Sequence, residues 1–142
     1  MVECGVWRGG SAMIAALMAR ARDLYLYDTF EGMPAPTAAD VTWHGQPASR
    51  KWRQRRNGAR SEWAYAGIDE VRRNLKRTGY PAGRLHLVKG KVEESIPGVM
   101  PERIALLRLD TDFYESTRHE LQHLYPRLCA GGVLIVDDYG HW

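Results

Sequence analysis

A chain of 142 residues that is 44% hydrophobic and 26% charged has the ordinary make-up of one globular domain, long enough to bury a core. Its net charge of +3 comes mainly from one local run, so it permits an anionic partner without arguing for one. No apolar run approaches the roughly 20 residues of a membrane span, and Met1-Val2-Glu3-Cys4-Gly5 has neither the basic start nor the apolar core of a secretory signal. A cytoplasmic location with no membrane partner is the expectation. Cys4 and Cys129 have no metal-type spacing and each stands beside strand-like residues, which favours buried free thiols over a disulfide.

The chain opens on what reads as a strand tail, Val2-Glu3-Cys4, and stops soon after the pair Asp137-Asp138, so a fragment truncated at both ends is expected. The tail runs into the glycine-rich turn Gly5-Val6-Trp7-Arg8-Gly9-Gly10-Ser11. Ser11 is placed to cap a helix over Ala12 to Ala21. A glycine turn feeding a helix lets a cofactor approach the backbone closely. The spacing is not G-x-G-x-x-G, which argues against a nicotinamide oxidoreductase. Leu24-Tyr25-Leu26-Tyr27 is a second strand ending in Asp28, where such folds grip a ribose diol; a loop or helix-capping aspartate is the competing reading.

From about 36 to 61 nothing is periodic, and a stretch this long reads as a lid or a flexible segment. Its run Arg50-Lys51-Trp52-Arg53-Gln54-Arg55-Arg56 is better explained as a solvated face than as a nucleic-acid surface. Ile68, Val71 and Leu75 then recur at helical spacing, with Gly79 and Pro81 as a stop. Leu85-His86-Leu87-Val88 is a third strand, leading to Lys89-Gly90-Lys91, and Val92 to Pro97 a short turn or helix.

Ile104 to Leu109 is a fourth strand ending at Asp110. The next helix is expected from about Tyr114 to Leu128, with Leu121, Leu124, Tyr125 and Leu128 on one face and Pro126 shortening it. His119 and His123 read as a solvent-facing pair on that helix. Ala130-Gly131-Gly132 turns the chain into a fifth strand, Val133 to Val136, which ends in Asp137-Asp138. Five strands alternating with helical segments make an α/β, Rossmann-like, mostly parallel sheet. Two adjacent strands would deliver at least three carboxylates, from the stretches Asp110 to Glu115 and Asp137-Asp138, to one rim, where repelling carboxylates call for a hard divalent cation.

Glu3-Cys4-Gly5-Val6-Trp7-Arg8-Gly9-Gly10-Ser11, Asp28-Thr29-Phe30-Glu31-Gly32-Met33-Pro34, Leu109-Asp110-Thr111-Asp112-Phe113-Tyr114-Glu115 and Val136-Asp137-Asp138-Tyr139-Gly140 resemble the macrocin O-methyltransferase (TylF) family. The resemblance implies a class I methyltransferase fold and a Mg²⁺-dependent, S-adenosylmethionine-dependent O-methyltransferase acting on a sugar hydroxyl or another small secondary metabolite. It also implies roles. Glu3, Gly5, Gly9 and Ser11 would line the methionine and sugar part of the cofactor, Asp28 its ribose, and Gly90 and Val92 its adenine. Asp110, Asp137 and Asp138 match the metal-binding aspartates, and Asp110 the general base. Asp112 has no assigned place, with a role behind the metal ligands or as a helix cap both open. The alternative is a truncated, non-catalytic remnant that still binds cofactor. A nucleic-acid methyltransferase is disfavoured, since the metal aspartates would then be unexplained. A homo-oligomer is compatible with all of these readings.

Overall fold

The computed structural model describes residues 1–58 and 60–141. In chain order its elements are β1 (Val2–Cys4), α1 (Gly10–Met18), β2 (Leu24–Asp28), α2 (Ala48–Arg55), β3 (Arg56–Asn57), β4 (Arg60–Ser61), α3 (Ile68–Lys76), β5 (Leu85–Lys89), α4 (Val92–Ser95), β6 (Ile104–Leu109), α5 (Tyr114–His123) and β7 (Leu128–Val136). The main sheet runs β5-β2-β1-β6-β7, and every neighbouring pair in it is parallel. The expected five-strand α/β architecture is therefore present. β3 and β4 form a separate small antiparallel hairpin.

Alternation along β1 sorts the core into two layers. Leu24 and Leu26 face α1 and α3, packing with Ala12, Ala16, Val71 and Leu75. Val2, Cys4, Tyr27, Leu107 and Leu109 face the other way, onto Val92, Ile96 and Leu124. The strand order reverses at β1, because the chain builds outward from it first through β2 and later through β6. Ligands bind at the carboxyl ends of strands on either side of such a reversal.

Several local expectations are corrected. α1 starts at Gly10 and ends at Met18; its N-cap is Gly9, in a left-handed conformation (φ 82°), and Ser11 lies inside the helix. The non-periodic stretch 36–61 contains α2 and the β3–β4 hairpin. α2 escaped notice because only Ala48 and Trp52 give it an apolar face. α5 stops at His123, and Tyr125–Arg127, with Pro126, forms a separate 3-10 turn. On α5 the residues buried against the sheet are Ser116 and Glu120, while Leu121 and Tyr125 are exposed and Leu124 just beyond the helix is buried. His119 is half-buried, its Nε2 lying 2.9 Å from the Ile96 carbonyl oxygen. β7 begins at Leu128, and the expected glycine turn is a register irregularity within it, opposite Ile104 to Leu106. Both cysteines are free, Cys4 buried and Cys129 half-buried.

β7 is the edge of the sheet, and Val133, Ile135 and Val136 are exposed along it. No described helix is long and apolar enough to cross a membrane.

Candidate active site

The glycine turn after β1 is shaped by Asp28. Its Oδ2 accepts the backbone N–H groups of Val6 (2.7 Å) and Trp7 (3.0 Å), and its Oδ1 accepts that of Phe30 (2.7 Å). The carboxylate that the sequence assigns to a ribose is thus heavily engaged in bracing the turn. Gly5 sits at φ 81°, and a Cβ there would lie 2.0 Å from the Asp110 carbonyl oxygen. Only glycine allows the ends of β1 and β6 to close together in this way.

A cleft opens at the carboxyl ends of β1, β2, β5 and β6. Gly5, Asp28, Gly90 and Val92 line it, as the sequence suggests, together with Asp110, Asp112 and Asp138 at its far end. Gly90 has φ 135° and nothing within 4 Å of where a Cβ would be, so the backbone there is open to a close-lying ligand. Three other expected cofactor residues stand behind this cleft. Gly9 caps α1, and Glu3 is buried on the α1 side of the sheet, accepting hydrogen bonds from the Ser11 hydroxyl and from Arg108.

Arg108, which sequence reasoning passed over, is the hub of the rim. Its Nη1 reaches Glu3 at 2.7 Å and Asp110 at 2.8 Å, and its Nη2 pairs with Asp137. A signal for it did exist: Glu3 and Arg108 are opposite partners in the β1–β6 register, the charged intruders in two otherwise apolar strands. Burial pushes the Glu3 carboxyl up, against the pull of Ser11 and Arg108. Burial works against the Arg108 charge, but Asp110, Glu3 and Asp137 outweigh it and raise the guanidinium pKa.

The carboxylates that converge are Asp110, Asp112 and Asp138, each offering an oxygen within 4.8 Å of the others. Asp110 is set by continuing the ladder, its N–H donating to the Cys4 carbonyl at 2.8 Å. Asp112 and Asp138 both take left-handed backbones, φ 65° and 51°, which is costly for a non-glycine residue and concentrates at functional sites. Asp137, expected among the ligands, instead turns to Arg108 and accepts the Asp138 N–H. Asp112, left unplaced by the sequence, takes its position in the cluster.

Burial raises the pKa of Asp110, Arg108 opposes the rise, and Asp137 and Asp138 add to it. Asp112 is pushed up to about 7, by burial first and then by the charges of Asp138 and Asp110, with Lys51 opposing. Carboxylate oxygens crowded under mutual repulsion are the donors a hard divalent ion relieves, so the cluster fits magnesium, with Asp110 and Asp138 able to hold it and Asp112 beside them.

Two buried carboxylates support the site from behind. Asp40 accepts the N–H of Tyr114 (2.8 Å) and that of Thr37 (2.6 Å), tying the start of α5 to the segment before α2. Glu120 is fully buried; its Oε1 accepts the Thr111 hydroxyl at 3.0 Å, and among the described residues its Oε2 lacks a hydrogen-bond partner of normal geometry, with the Cys4 thiol nearby. Burial pushes the Glu120 carboxyl up to about 8, so it is largely protonated at neutral pH. Neither residue carried a periodicity or motif that set it apart.

The profile of macrocin-O-methyltransferases (TylF) matches residues 1–142. The 8-demethyl-8-(2,3-dimethoxy-alpha-L-rhamnosyl)-tetracenomycin-C 4'-O-methyltransferase of Streptomyces olivaceus is 36% identical over 145 residues, covering 98% of this chain and 52% of that protein. Demethyldecarbamoylnovobiocin O-methyltransferase of Streptomyces niveus is 34% identical over 144 residues, again 98% and 52%. The chain spans about half the length of the curated relatives it matches. Among solved structures, the O-methyltransferase NovP superposes with a TM-score of 0.78 at 31% identity, over 97% of this chain and 56% of that one. The calicheamicin methyltransferase CalS11, at 23% identity and a TM-score of 0.72, covers 99% of this chain and 58% of its own and shares the fold.

Proposed function

Since the chain belongs to the macrocin-O-methyltransferase (TylF) family, we propose that it moves a methyl group from S-adenosylmethionine to a hydroxyl of a sugar or other small secondary metabolite, with Mg²⁺. The observation that carries this reading is the single cleft joining the Gly5–Asp28 turn at one end to Asp110, Asp112 and Asp138 at the other. A cofactor laid along the turn would present its methyl group toward the carboxylates. The relatives named above are O-methyltransferases, one of them named for a rhamnosyl-bearing tetracenomycin.

In the transfer, the acceptor oxygen forms a bond to the methyl carbon as the carbon–sulfur bond breaks, leaving S-adenosylhomocysteine. The hydroxyl proton must go to a base, because a sugar hydroxyl is too weak an acid to ionise unaided at neutral pH. Bound magnesium would supply Lewis acidity toward that hydroxyl, held by Asp110 and Asp138. Asp110 is the base the family resemblance suggests, but its carboxylate is paired with Arg108 at 2.8 Å. Asp112 has no such pairing with a guanidinium and stands in the same cluster, which makes it the better proton acceptor. Asp28 and the backbone at Gly5 and Gly90 would hold the cofactor.

Titration calorimetry with S-adenosylhomocysteine, followed by methyl transfer to a panel of sugar-bearing acceptors with and without chelator, tests the reading. Binding together with Mg²⁺-dependent transfer is expected. Transfer that persists undiminished in chelator removes the metal from it. Binding without transfer to any acceptor would favour a cofactor-binding remnant.

A further inference from the structure

The carboxylates at the strand ends share one guanidinium. Glu3, Asp110 and Asp137 all meet Arg108, while Asp112 and Asp138 crowd beside Asp110. Strand register explains the convergence. Glu3 and Ile135 flank Arg108 as its partners in β1 and β7, and Asp110 and Asp137 each stand two residues further along. Residues two apart on a strand share a face, so all four charged side chains emerge on the α1 side of the sheet.

Two of these partners compete for a single atom. Arg108 Nη1 lies 2.7 Å from Glu3 Oε1 and 2.8 Å from Asp110 Oδ2, while Nη2 pairs with Asp137. Glu3 is the partner best shielded from water, its side chain 6% exposed against 28% for Asp110 and 40% for Asp137. The Ser11 hydroxyl, in the first turn of α1, donates to the same Glu3 oxygen and fixes it in place. Glu3 thus pulls Arg108 inward, away from the rim.

Carboxylates that hold a metal are ordinarily oriented by hydrogen-bond partners behind them. Here the partner of Asp110 carries a full positive charge, which repels a divalent ion at the same carboxylate. Arg108 also keeps Asp137 apart from the cluster of Asp110, Asp112 and Asp138; the second Asp137 oxygen accepts the Asp138 N–H at 2.9 Å.

Building on the Mg²⁺ reading above, we infer that Arg108 is a built-in competitor of the divalent ion, occupying Asp110 and withholding Asp137, and that Glu3 tempers this competition by drawing the same nitrogen inward. Arg108 is then a positioning residue for the metal end of the cleft. Glu3 acts on that end through Arg108, and not as a contact of the cofactor.

Calorimetric titration of Mg²⁺ into the full chain tests this, with a cooperative thermal melt by circular dichroism reporting that each variant folds. Arg108→Met should bind Mg²⁺ about tenfold more tightly than the parent, because a nearby positive charge is gone and Asp137 is released. The near-isosteric Glu3→Gln should bind it about threefold more weakly, because Arg108 is left wholly to the rim. The double variant Glu3→Gln/Arg108→Met should match Arg108→Met. A merely bracing arginine gives the opposite sign, so weaker or unchanged binding in a folded Arg108→Met overturns the inference. A Glu3→Gln effect that persists in the Arg108→Met background overturns it too. Should Arg108→Met fail to melt cooperatively, Glu3→Gln decides alone, and unchanged or tighter binding there overturns the inference. Mg²⁺ bound by neither the parent nor Arg108→Met would overturn the magnesium reading and the inference together, whereas equal binding by both overturns the inference alone.

Discussion

The two ends of the cleft are built on opposite principles. At the β1–β2 end the polar groups satisfy one another: Asp28 accepts three backbone N–H groups, and the Gly5 N–H donates to the Tyr27 carbonyl at 2.9 Å. At the β6–β7 end Asp110, Asp112 and Asp138 crowd together and repel, on strained backbone, with Arg108 engaging only the first of them. The first end is complete as it folds. The second is stable to the extent that a proton or a cation joins it, which is how binding energy is stored for a ligand.

The largest expected effect breaks the seam between the two ends. Gly5→Ala places a Cβ 2.0 Å from the Asp110 carbonyl oxygen at φ 81°, so both the strand ends and the acid cluster must shift. Left-handed strain and overpacking together predict a loss of about 3 kcal/mol or more. Urea denaturation reads it directly, and a variant as stable as the parent would mean that the two ends are not packed as described.

Next in size are substitutions within the acid cluster, where stability and activity should move in opposite directions. Asp112→Asn removes a repelling charge, so the chain should gain thermal stability without metal, while methyl transfer falls on the order of 10²-fold or more if Asp112 takes the proton. Asp138→Asn should weaken Mg²⁺ binding more than Asp137→Asn does, because Asp137 faces Arg108. Equal losses of Mg²⁺ affinity by calorimetry would restore Asp137 to the ligand set.

How much of this could be read from the chain follows the same division. The class of fold, its five mostly parallel strands and the rim of carboxylates were legible because apolar runs ending in Gly5, Asp28, Asp110 and Asp137 mark the strand ends in the sequence itself. The exchange of Asp137 for Asp112 was not. Which aspartate turns into the cleft depends on the left-handed backbone at 112 and on where Arg108 finds its partners, and two of those partners, Glu3 and Asp137, lie more than 20 residues away in the chain. α2 was hidden for a different reason: two apolar residues in eight give no periodic signal, and the helix is held by Trp52 and Asp40 instead of by a buried stripe.

An effect spread across the pH range, and of opposite sign to the usual carboxylate case, comes from Glu120 behind the Thr111 loop. Its carboxyl rises from an ordinary 4.5 to about 8 in the folded chain, chiefly through burial. The folded state therefore keeps a proton that the unfolded state has released across that window. This contribution to stability is whole below about pH 4.5, declines as pH rises, and is lost through about pH 8, with a limiting slope of about 1.4 kcal/mol per pH unit. Glu120→Gln, neutral at every pH, should flatten the fall in melting temperature between pH 5 and 8. An unchanged slope would mean that the group titrates normally and that the loop is braced in some other way.

The smallest expected effect concerns the helix that walls the cleft. Trp52→Phe keeps the ring against Met33 and removes the hydrogen bond from Nε1 to the Met33 carbonyl, a change worth about 1 kcal/mol. Because that bond anchors α2 and not the sheet, the loss should appear as faster amide exchange in α2 and the β3–β4 hairpin, with the sheet amides untouched. Global unfolding at a markedly lower denaturant concentration would show instead that α2 is part of the cooperative core. The contrast between a self-sufficient β1–β2 end and a dependent acidic end would then have to include the wall that joins them.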